Sequence, residues 1–369
     1  MQISPQQPEF DRRITASPIG LDIVPESAST DQSSSLSAKR VDVISGSRLH
    51  FGLLWGTHGS VGGAGVMIER PAVWIRLSPS PRFEVRGPAA DRAVETANRY
   101  FAAYSAMRGS GPGLPRLTIH ILRMPPSHAG FGSGTQLALS IACGLDRYFQ
   151  VSHEPLELAA SIAGRGKRSA VGTHGFFRGG LITELGRPTQ DSLQPVGILS
   201  HHRTLPPAWR WLVMQFPEVT VGVSGAAEQQ RFEALHRIGP PDIDRWHRML
   251  QLEMVPAVDR ADVDDFGEAI YQFNRAVGEH FASVQGGLYG SHRAAACVDR
   301  LRAWGVRGVG QSSWGPTLFA LCESPEASAD LQARIQAEAK RFGSCFERVE
   351  LSSTATRNRP ATLASRSFD

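Results

Sequence analysis

Four short segments of this 369-residue chain hold residue types whose spacing could do chemistry. The most distinctive runs from Pro125 to Thr135, with glycines at 130, 132 and 134 directly ahead of a helical pattern. Glycines there let backbone amides turn inward where a side chain would block the approach. A helix starting at such a loop offers unpaired N–H groups and the positive end of its dipole, both suited to an anion. Gly130, Gly132, Ser133, Gly134 and Thr135 are therefore the candidate phosphate-binding residues, the two hydroxyls adding donors. A flexible turn that merely opens a helix has the same composition, so the loop alone leaves both readings open.

Gly164 to Thr173 packs Arg165, Lys167 and Arg168 together with Ser169 and Thr173 into ten residues. Arginine could clamp a phosphate by a bidentate fork and lysine as a point charge. The same cations also suit the end of a helix for dipole reasons alone. His174, next in sequence, is either a base or a polar core residue. Gly310 to Pro316 is a polar, glycine-flanked turn in which Gln311, Ser312 and Ser313 are candidate substrate contacts, since loops on a rigid scaffold often meet ligand. A structural turn reads the same. In Ser47-Arg48-Leu49-His50-Phe51-Gly52, strand alternation puts Arg48 and His50 on one face, either a cleft or a solvent face.

Those segments need a frame. The patterns predict strands at 41–44, 49–55 and 73–77, a helix over 92–107 and a strand over 117–122. The helix after the glycine loop is expected to bury Leu137, Ile141, Leu145 and Phe149, and another helix spans 155–163. A Pro/His/Arg-rich stretch, 200–207, reads as a domain boundary. Beyond it come a strand over 211–216, a long helix striped by Phe266, Ile270, Phe273, Val277 and Phe281, and a helix over 291–304. A strand over 317–322, a helix over 327–341 and a closing strand over 346–351 complete an α+β sandwich. Residues 1–38 read as a disordered arm and 353–369 as a flexible tail, because little in either can be buried. The folded part divides into a first domain over 39–205, with the phosphate-binding loop, and a second over 206–352.

Bulk composition narrows the function classes. With 41% apolar and 20% charged residues, 37 Gly and 24 Pro, the chain reads as a globular protein with many turns. No run reaches the roughly 18 apolar residues of a membrane span, and the acidic, polar N-terminus is unlike a secretory signal, so a cytoplasmic location is expected. The 39 Lys plus Arg against 35 Asp plus Glu leave a net charge of +4, which points weakly to anionic ligands. No basic run alternates with aromatics as a nucleic-acid groove would, so nucleic acid is not an expected partner. Cys143, Cys297, Cys322 and Cys345 are widely spaced among apolar neighbours and fit buried thiols. The twelve histidines show no metal-ligand spacing, and no protein-held metal is expected.

In order and spacing, the segments resemble the motifs of the GHMP superfamily of small-molecule kinases. Ser47 to Gly52 stands for the opening motif, and Pro126 to Thr135 resembles the phosphate loop Pro-x-x-x-Gly-Leu-Gly-Ser-Ser. Gly310 to Gly315 stands for the late glycine-rich motif. The resemblance spans about residues 40–350. It implies an α+β two-domain GHMP-kinase-like fold, with a ribosomal-S5-like N-terminal domain and a ferredoxin-like α/β C-terminal domain. Where those kinases carry a catalytic aspartate in Ser-Gly-x-Asp, this chain has Ser169-Ala170-Val171-Gly172.

One branch matches that departure. Ser-Arg-x-His-Phe, Gly-Arg-Gly-x-x-Ser-x-x-Gly, Gly-x-Ser-Gly-x-x-Glu (Gly222, Ser224, Gly225, Glu228) and Gln-Ser-Ser-Trp-Gly-Pro-Thr resemble the beta-ribofuranosylaminobenzene 5'-phosphate synthase family. The resemblance implies a transferase that joins phosphoribosyl pyrophosphate to 4-aminobenzoate or 4-hydroxybenzoate. Pyrophosphate and carbon dioxide leave, on the route to tetrahydromethanopterin. It implies Mg²⁺ accompanying the donor, and a catalytic set of Arg48, His50, Arg165, Lys167 and His174. Arg48, Arg165 and Lys167 are then candidates for the 5'-phosphate and the carboxylate. A homodimer is an allowed assembly. The competing expectations are a divergent ATP-using kinase that recruits another carboxylate such as Glu184, and a non-catalytic sensor on the same fold.

Overall fold

The computed structural model describes residues 40–55, 60–109, 115–166, 169–187, 194–216, 240–313 and 315–366. The arm expected over 1–38 and the motif at Gly222 to Glu228 lie outside the described residues. Two long strands, β1 (Arg40–Trp55) and β2 (Val61–Pro79), pair antiparallel from Val41↔Leu77 to Trp55↔Val61. The two short strands expected over 41–55 are therefore one, kept continuous across register shifts at Ser45/Ser47 and His50/Gly52. The glycines at 62, 63 and 65 belong to β2 and not to a turn. A Cβ at Gly63 would sit 2.8 Å from His50 Nε2, and Cβ atoms at Gly62 and Gly65 would strike the Glu184 and Leu49 carbonyls. Close strand approach is the reason for this glycine run.

The first sheet runs β11-β1-β2-β4-β3, with β3 (Glu84–Arg86), β4 (Leu117–Arg123) and β11 (Thr362–Arg366). It forks at β2, whose first half also pairs with β5 (Leu181–Glu184), itself paired with β6 (Leu199–Arg203). Helix α1 (Ala90–Arg108) and α2 (Ser133–Phe149) cover one face. Leu137, Ile141 and Leu145 of α2 are buried there with Val43, Ile75 and Leu77, each contributing roughly 1.5–3 kcal/mol. Phe149, expected in the same stripe, is only partly buried, at the end of the helix. Next come α3 (Pro155–Glu157), wound on as a π-helical turn over Leu158–Ile162, and α4 (Val171–Arg178).

The second sheet, β10-β7-β9-β8, comprises β7 (Arg210–Gln215), β8 (Val309–Gln311), β9 (Leu318–Cys322) and β10 (Glu350–Ala355). Its faces explain the unbroken apolar run at 211–214. Trp211 and Val213 enter one core, Leu212 and Met214 another. The helices on this side are α5 (Pro240–Arg248), α6 (Val255–Asp259), α7 (Val263–Gln285), α8 (His292–Ala303) and α9 (Pro325–Ala339). The two sheets share a core: Phe51 of β1 lies 5.4 Å from Phe319 and 5.7 Å from Trp211 between ring centroids. The described residues from 40 to 366 belong to one compact unit.

The tail expectation is corrected. Residues 353–366 are not a free tail, because β10 includes Ser353–Ala355 and β11 pairs with Arg40–Ile44 of β1. Arg357 staples the crossing: its Nη2 donates to the Ile44 and Pro360 carbonyls and to Thr362 Oγ1 at 3.3, 2.7 and 3.0 Å. A buried guanidinium between two strand ends ties down a segment whose composition is too polar to announce a strand. The closing strand also lies at Glu350–Ala355, four residues later than the pattern at 346–351 placed it.

Candidate active site

The glycine loop opens α2 without a side-chain cap: Gly132 is its N-cap, in the left-handed region at φ 66°. By contrast α7, α8 and α9 are capped by Asp262, Ser291 and Ser324. The Thr135 and Gln136 amides both bond the Gly132 carbonyl, at 3.0 and 3.1 Å, so Ser133 and Gly134 carry the leading helix amides. No acidic residue lies in the first turn. Ser133 itself is buried, its hydroxyl 3.5 Å from the Pro126 carbonyl.

Arg48 and Arg92 meet this helix end, and Arg165 stands near enough to Arg92 to feel its charge. The Arg48 side chain crosses Gly132, where an added Cβ would sit 2.7 Å from its Cγ, and its Nη1 donates to the Gly130 carbonyl at 3.3 Å. The Arg92 guanidinium, from α1, lies against Gly134 at the place a side chain would occupy. Arg165 is partly buried, and its Nε has no partner among the described residues. Burial foremost, then the Arg92 and Arg99 charges, lower its pKa, with Glu95 opposing. Cations held this close can receive a polyanion. Arg92 gave no local signal, since a charged residue in the first turn of an amphipathic helix reads as solvent-facing.

The late motif locks onto the loop. Ser312 accepts the His50 amide at 3.0 Å and donates to the Gly130 carbonyl at 2.7 Å. The Ser313 amide donates to the His50 carbonyl at 3.0 Å. Gly315 packs directly on the Gly130 amide, leaving no room for a Cβ. Ser312 is thus corrected from a substrate contact to a buried staple: its hydroxyl is committed to two backbone groups. Gln311 is likewise engaged, through Oε1 to the Gly290 amide and Nε2 to the Ser313 carbonyl. Asn274 of α7 fixes this turn from behind, donating to the Phe51 and Gln311 carbonyls and accepting the Gln311 amide. Its role is invisible in sequence because all three partners are backbone atoms more than thirty residues away.

His50, Phe51, Val277, Phe281, Gln311 and Ser313 wall a small cleft of about 40 Å³. His50 is buried, and burial followed by the Arg48 charge holds its pKa well below the usual 6.5, so the ring is neutral. Its Nε2 lies 3.1 Å from Ser169 Oγ. Gly172 faces the loop: an added Cβ would meet Thr135 Cγ2 at 3.5 Å, Gln136 Nε2 at 3.6 Å and Arg48 Cδ at 3.7 Å. His174, two residues on, turns inward and bonds the Gly197 carbonyl at 2.7 Å through Nε2. Its reading as a catalytic base is corrected to that of a buried core histidine, since helix geometry turns position 174 away from the face carrying 172. Lys167 lies outside the described residues.

A model of the GHMP kinases N terminal domain matches residues 92–177, and one of the GHMP kinases C terminal region matches 254–341. Beta-ribofuranosylphenol 5'-phosphate synthase of Methanothermobacter thermautotrophicus is 27% identical over 294 residues, 75% of this chain and 87% of the relative. That of Archaeoglobus fulgidus is 28% identical over 296 residues, 75% and 86% of the two chains. The chain thus carries the N- and C-terminal domains of the GHMP kinases and is similar to these synthases over about three quarters of its length. The likeness to named synthases supports an enzyme of the transferase kind. Solved structures share the superfamily fold. Homoserine kinase from Cytophaga hutchinsonii superposes with TM-score 0.58 at 15% identity, covering 91% of this chain and all of that one. Mevalonate pyrophosphate decarboxylase from Streptococcus pyogenes gives 0.59 at 12% identity, covering 89% and 99%. Among the described residues no helix is long and apolar enough to cross a membrane.

Proposed function

We propose that this protein transfers a phosphoribosyl group from phosphoribosyl pyrophosphate to the ring carbon that bears the carboxylate of a 4-substituted benzoate. The observation that carries the reading is Gly172, which faces Thr135 and Arg48 at the anion loop and brings no carboxylate. Kinases of the superfamily place an aspartate base in that segment, and general base catalysis contributes roughly 10²–10⁴-fold in rate. Ribosyl transfer needs no base at that point. As pyrophosphate leaves with the electrons of the C–O bond, the anomeric carbon becomes cationic and the leaving group gains charge. The Ser133 and Gly134 amides, Arg48, Arg92 and Arg165 are the groups that receive that charge.

The carboxylate-bearing ring carbon then bonds to the anomeric carbon. Its bond to the carboxylate breaks, carbon dioxide departs, and the electron pair of that bond restores the aromatic ring. Phe51, Val277 and Phe281 give the cleft the apolar walls an arene requires, and His50 brings a neutral polar group to it. The phenol in the name of the related synthases makes 4-hydroxybenzoate the first acceptor to test, beside 4-aminobenzoate. The product would serve as the aryl-ribose unit of a tetrahydromethanopterin-type carrier. Amides, hydroxyls and guanidinium groups around the loop are a poor ligand set for a divalent cation. The site therefore does not fit a resident Mg²⁺, and an ion of this kind would belong to the donor's own oxygens.

Carboxyl-labelled 4-hydroxybenzoate or 4-aminobenzoate incubated with phosphoribosyl pyrophosphate and Mg²⁺ should release labelled carbon dioxide in step with pyrophosphate. Phosphoryl transfer from ATP to a small alcohol, without carbon dioxide release, would overturn the reading in favour of a kinase. Binding of either donor without turnover would favour a sensor.

A further inference from the structure

Glu184 closes β5 with its side chain wholly buried, and nothing in the proposed reaction uses it. Its Oε1 accepts the Ala170 amide at 3.0 Å and its Oε2 the Gly186 amide at 2.7 Å. The Ser169 hydroxyl hydrogen-bonds the same carboxyl. On its other side Ser169 Oγ meets His50 Nε2 at 3.1 Å, and the Val171 amide approaches it at 3.4 Å. A serine hydroxyl has one proton and two acceptor lone pairs. Val171 N–H occupies one lone pair, so the direction of the Ser169 proton couples the carboxyl to the imidazole.

The two directions have different consequences. An ionised carboxyl can only accept, so Ser169 donates to Glu184, and the remaining Ser169 lone pair takes a proton carried on His50 Nε2. A protonated carboxyl donates to Ser169, whose own proton then turns to His50 Nε2 and leaves the ring hydrogen on Nδ1. We propose that Glu184 is the positioning residue of His50: through the single hydroxyl proton of Ser169, the protonation state of the carboxyl decides which ring nitrogen of His50 carries hydrogen. The fixed tautomer decides whether Nδ1 offers a donor or an acceptor to a ligand hydroxyl in the cleft. That last step rests on the proposed acceptor chemistry, and the tautomer coupling does not.

The surroundings suit such a coupling. His50 stays neutral, so the ring responds by moving its hydrogen rather than by charging. Burial pushes Glu184 up to about 8 against its amide and hydroxyl donors, which places its proton loss in mildly alkaline solution. Among the described residues, the charged and titratable groups facing this relay are Arg48 beside His50, His174 through Gly197, and His201 and His247 in the crevice that Glu184 shares.

Nitrogen-15 NMR of the histidine-labelled full chain, titrated from about pH 6 to about pH 10, reads the tautomer directly, with His50→Asn assigning the signal. The hydrogen should move from Nδ1 to Nε2 as Glu184 ionises. Ser169→Ala removes the link while leaving both backbone bonds to Glu184 in place, and should abolish the pH-dependent exchange. Glu184→Gln should also hold His50 in one tautomer at all pH values. A His50 tautomer that ignores pH, or one that switches identically in Ser169→Ala, overturns the proposal. Should Glu184→Gln fail to fold, the serine variant still decides. Carbon dioxide release plays no part in this readout, so a failed coupling and a failed assignment of the reaction are distinguishable.

Discussion

The Ser312 hydroxyl donates to the Gly130 carbonyl at 2.7 Å, joining residues 182 positions apart. The same oxygen accepts the His50 amide, so one buried hydroxyl sets the opening strand, the glycine loop and the late turn against each other. Arg48 Nη1 donates a second, longer bond to the Gly130 carbonyl, at 3.3 Å, and as a donor it cannot serve the His50 amide.

Ser312→Ala should therefore cost about 1–3 kcal/mol of stability, because it leaves a buried amide unpaired and a carbonyl half satisfied. The released Gly130 should also loosen the loop and weaken binding of inorganic pyrophosphate. Denaturant unfolding and titration calorimetry check the two effects separately. A variant as stable as the parent, with unchanged affinity, would mean that water replaces the hydroxyl without consequence.

Gly134 owes its lack of a side chain to Arg92, whose guanidinium fills the space. The clash in Gly134→Val falls on the tip of a flexible side chain, so the fold should survive while Arg92 is pushed off the helix end. Arg92→Ala should weaken pyrophosphate binding about tenfold to hundredfold, the value of one charge-assisted bond. The double variant should be little worse than Arg92→Ala alone, since both changes remove one contact. Additive losses would show that Gly134 serves the anion directly.

Arg165 tests geometry against charge. Its Nε has no partner among the described residues, and its neighbours include Arg92 and Arg99. Arg165→Lys keeps the charge and loses the planar fork, so catalytic efficiency should fall about tenfold to hundredfold. Steady-state carbon dioxide release measures it. Parity with the parent would reduce Arg165 to a cation at the end of a helical turn.

Much of the frame was legible because its periodicities are strong. The aliphatic stripe of α2 and the Phe266-to-Phe281 stripe of α7 each lie on a helix, and both enter a core as far as Leu145 and Phe281. Glycine was harder to read. The glycines at 130 and 132 do mark a loop with positive φ, whereas those at 62, 63 and 65 mark strands drawn close together. The site was legible as segments but not as contacts. Nothing local distinguishes Ser312, which is a staple, from Ser313, which lines the cleft, and nothing local brings Arg92 to Gly134. Likewise β11 depends on Arg357 and on a free edge of β1 that only the assembled sheet provides.

The Glu184 carboxyl gives the stability of the protein a sign against pH. Burial raises its folded pKa from 4.5 to about 8, so the folded state keeps a proton that the unfolded state has lost between those values. Its contribution is fully present below the unfolded pKa and drains away as pH rises through the folded one. The depressed His50 acts in the opposite sense, with its contribution present above 6.5 and lost as pH falls below that value. Glu184→Gln removes the first effect and leaves the second. The stability of the parent minus that of the variant should therefore decline steadily from about pH 5 to about pH 8 and level off beyond. Thermal unfolding of both proteins in matched buffers gives the difference at each pH. Parallel curves across that window would mean that Glu184 is already ionised in the folded protein, held by the Ala170 and Gly186 amides strongly enough to offset its burial.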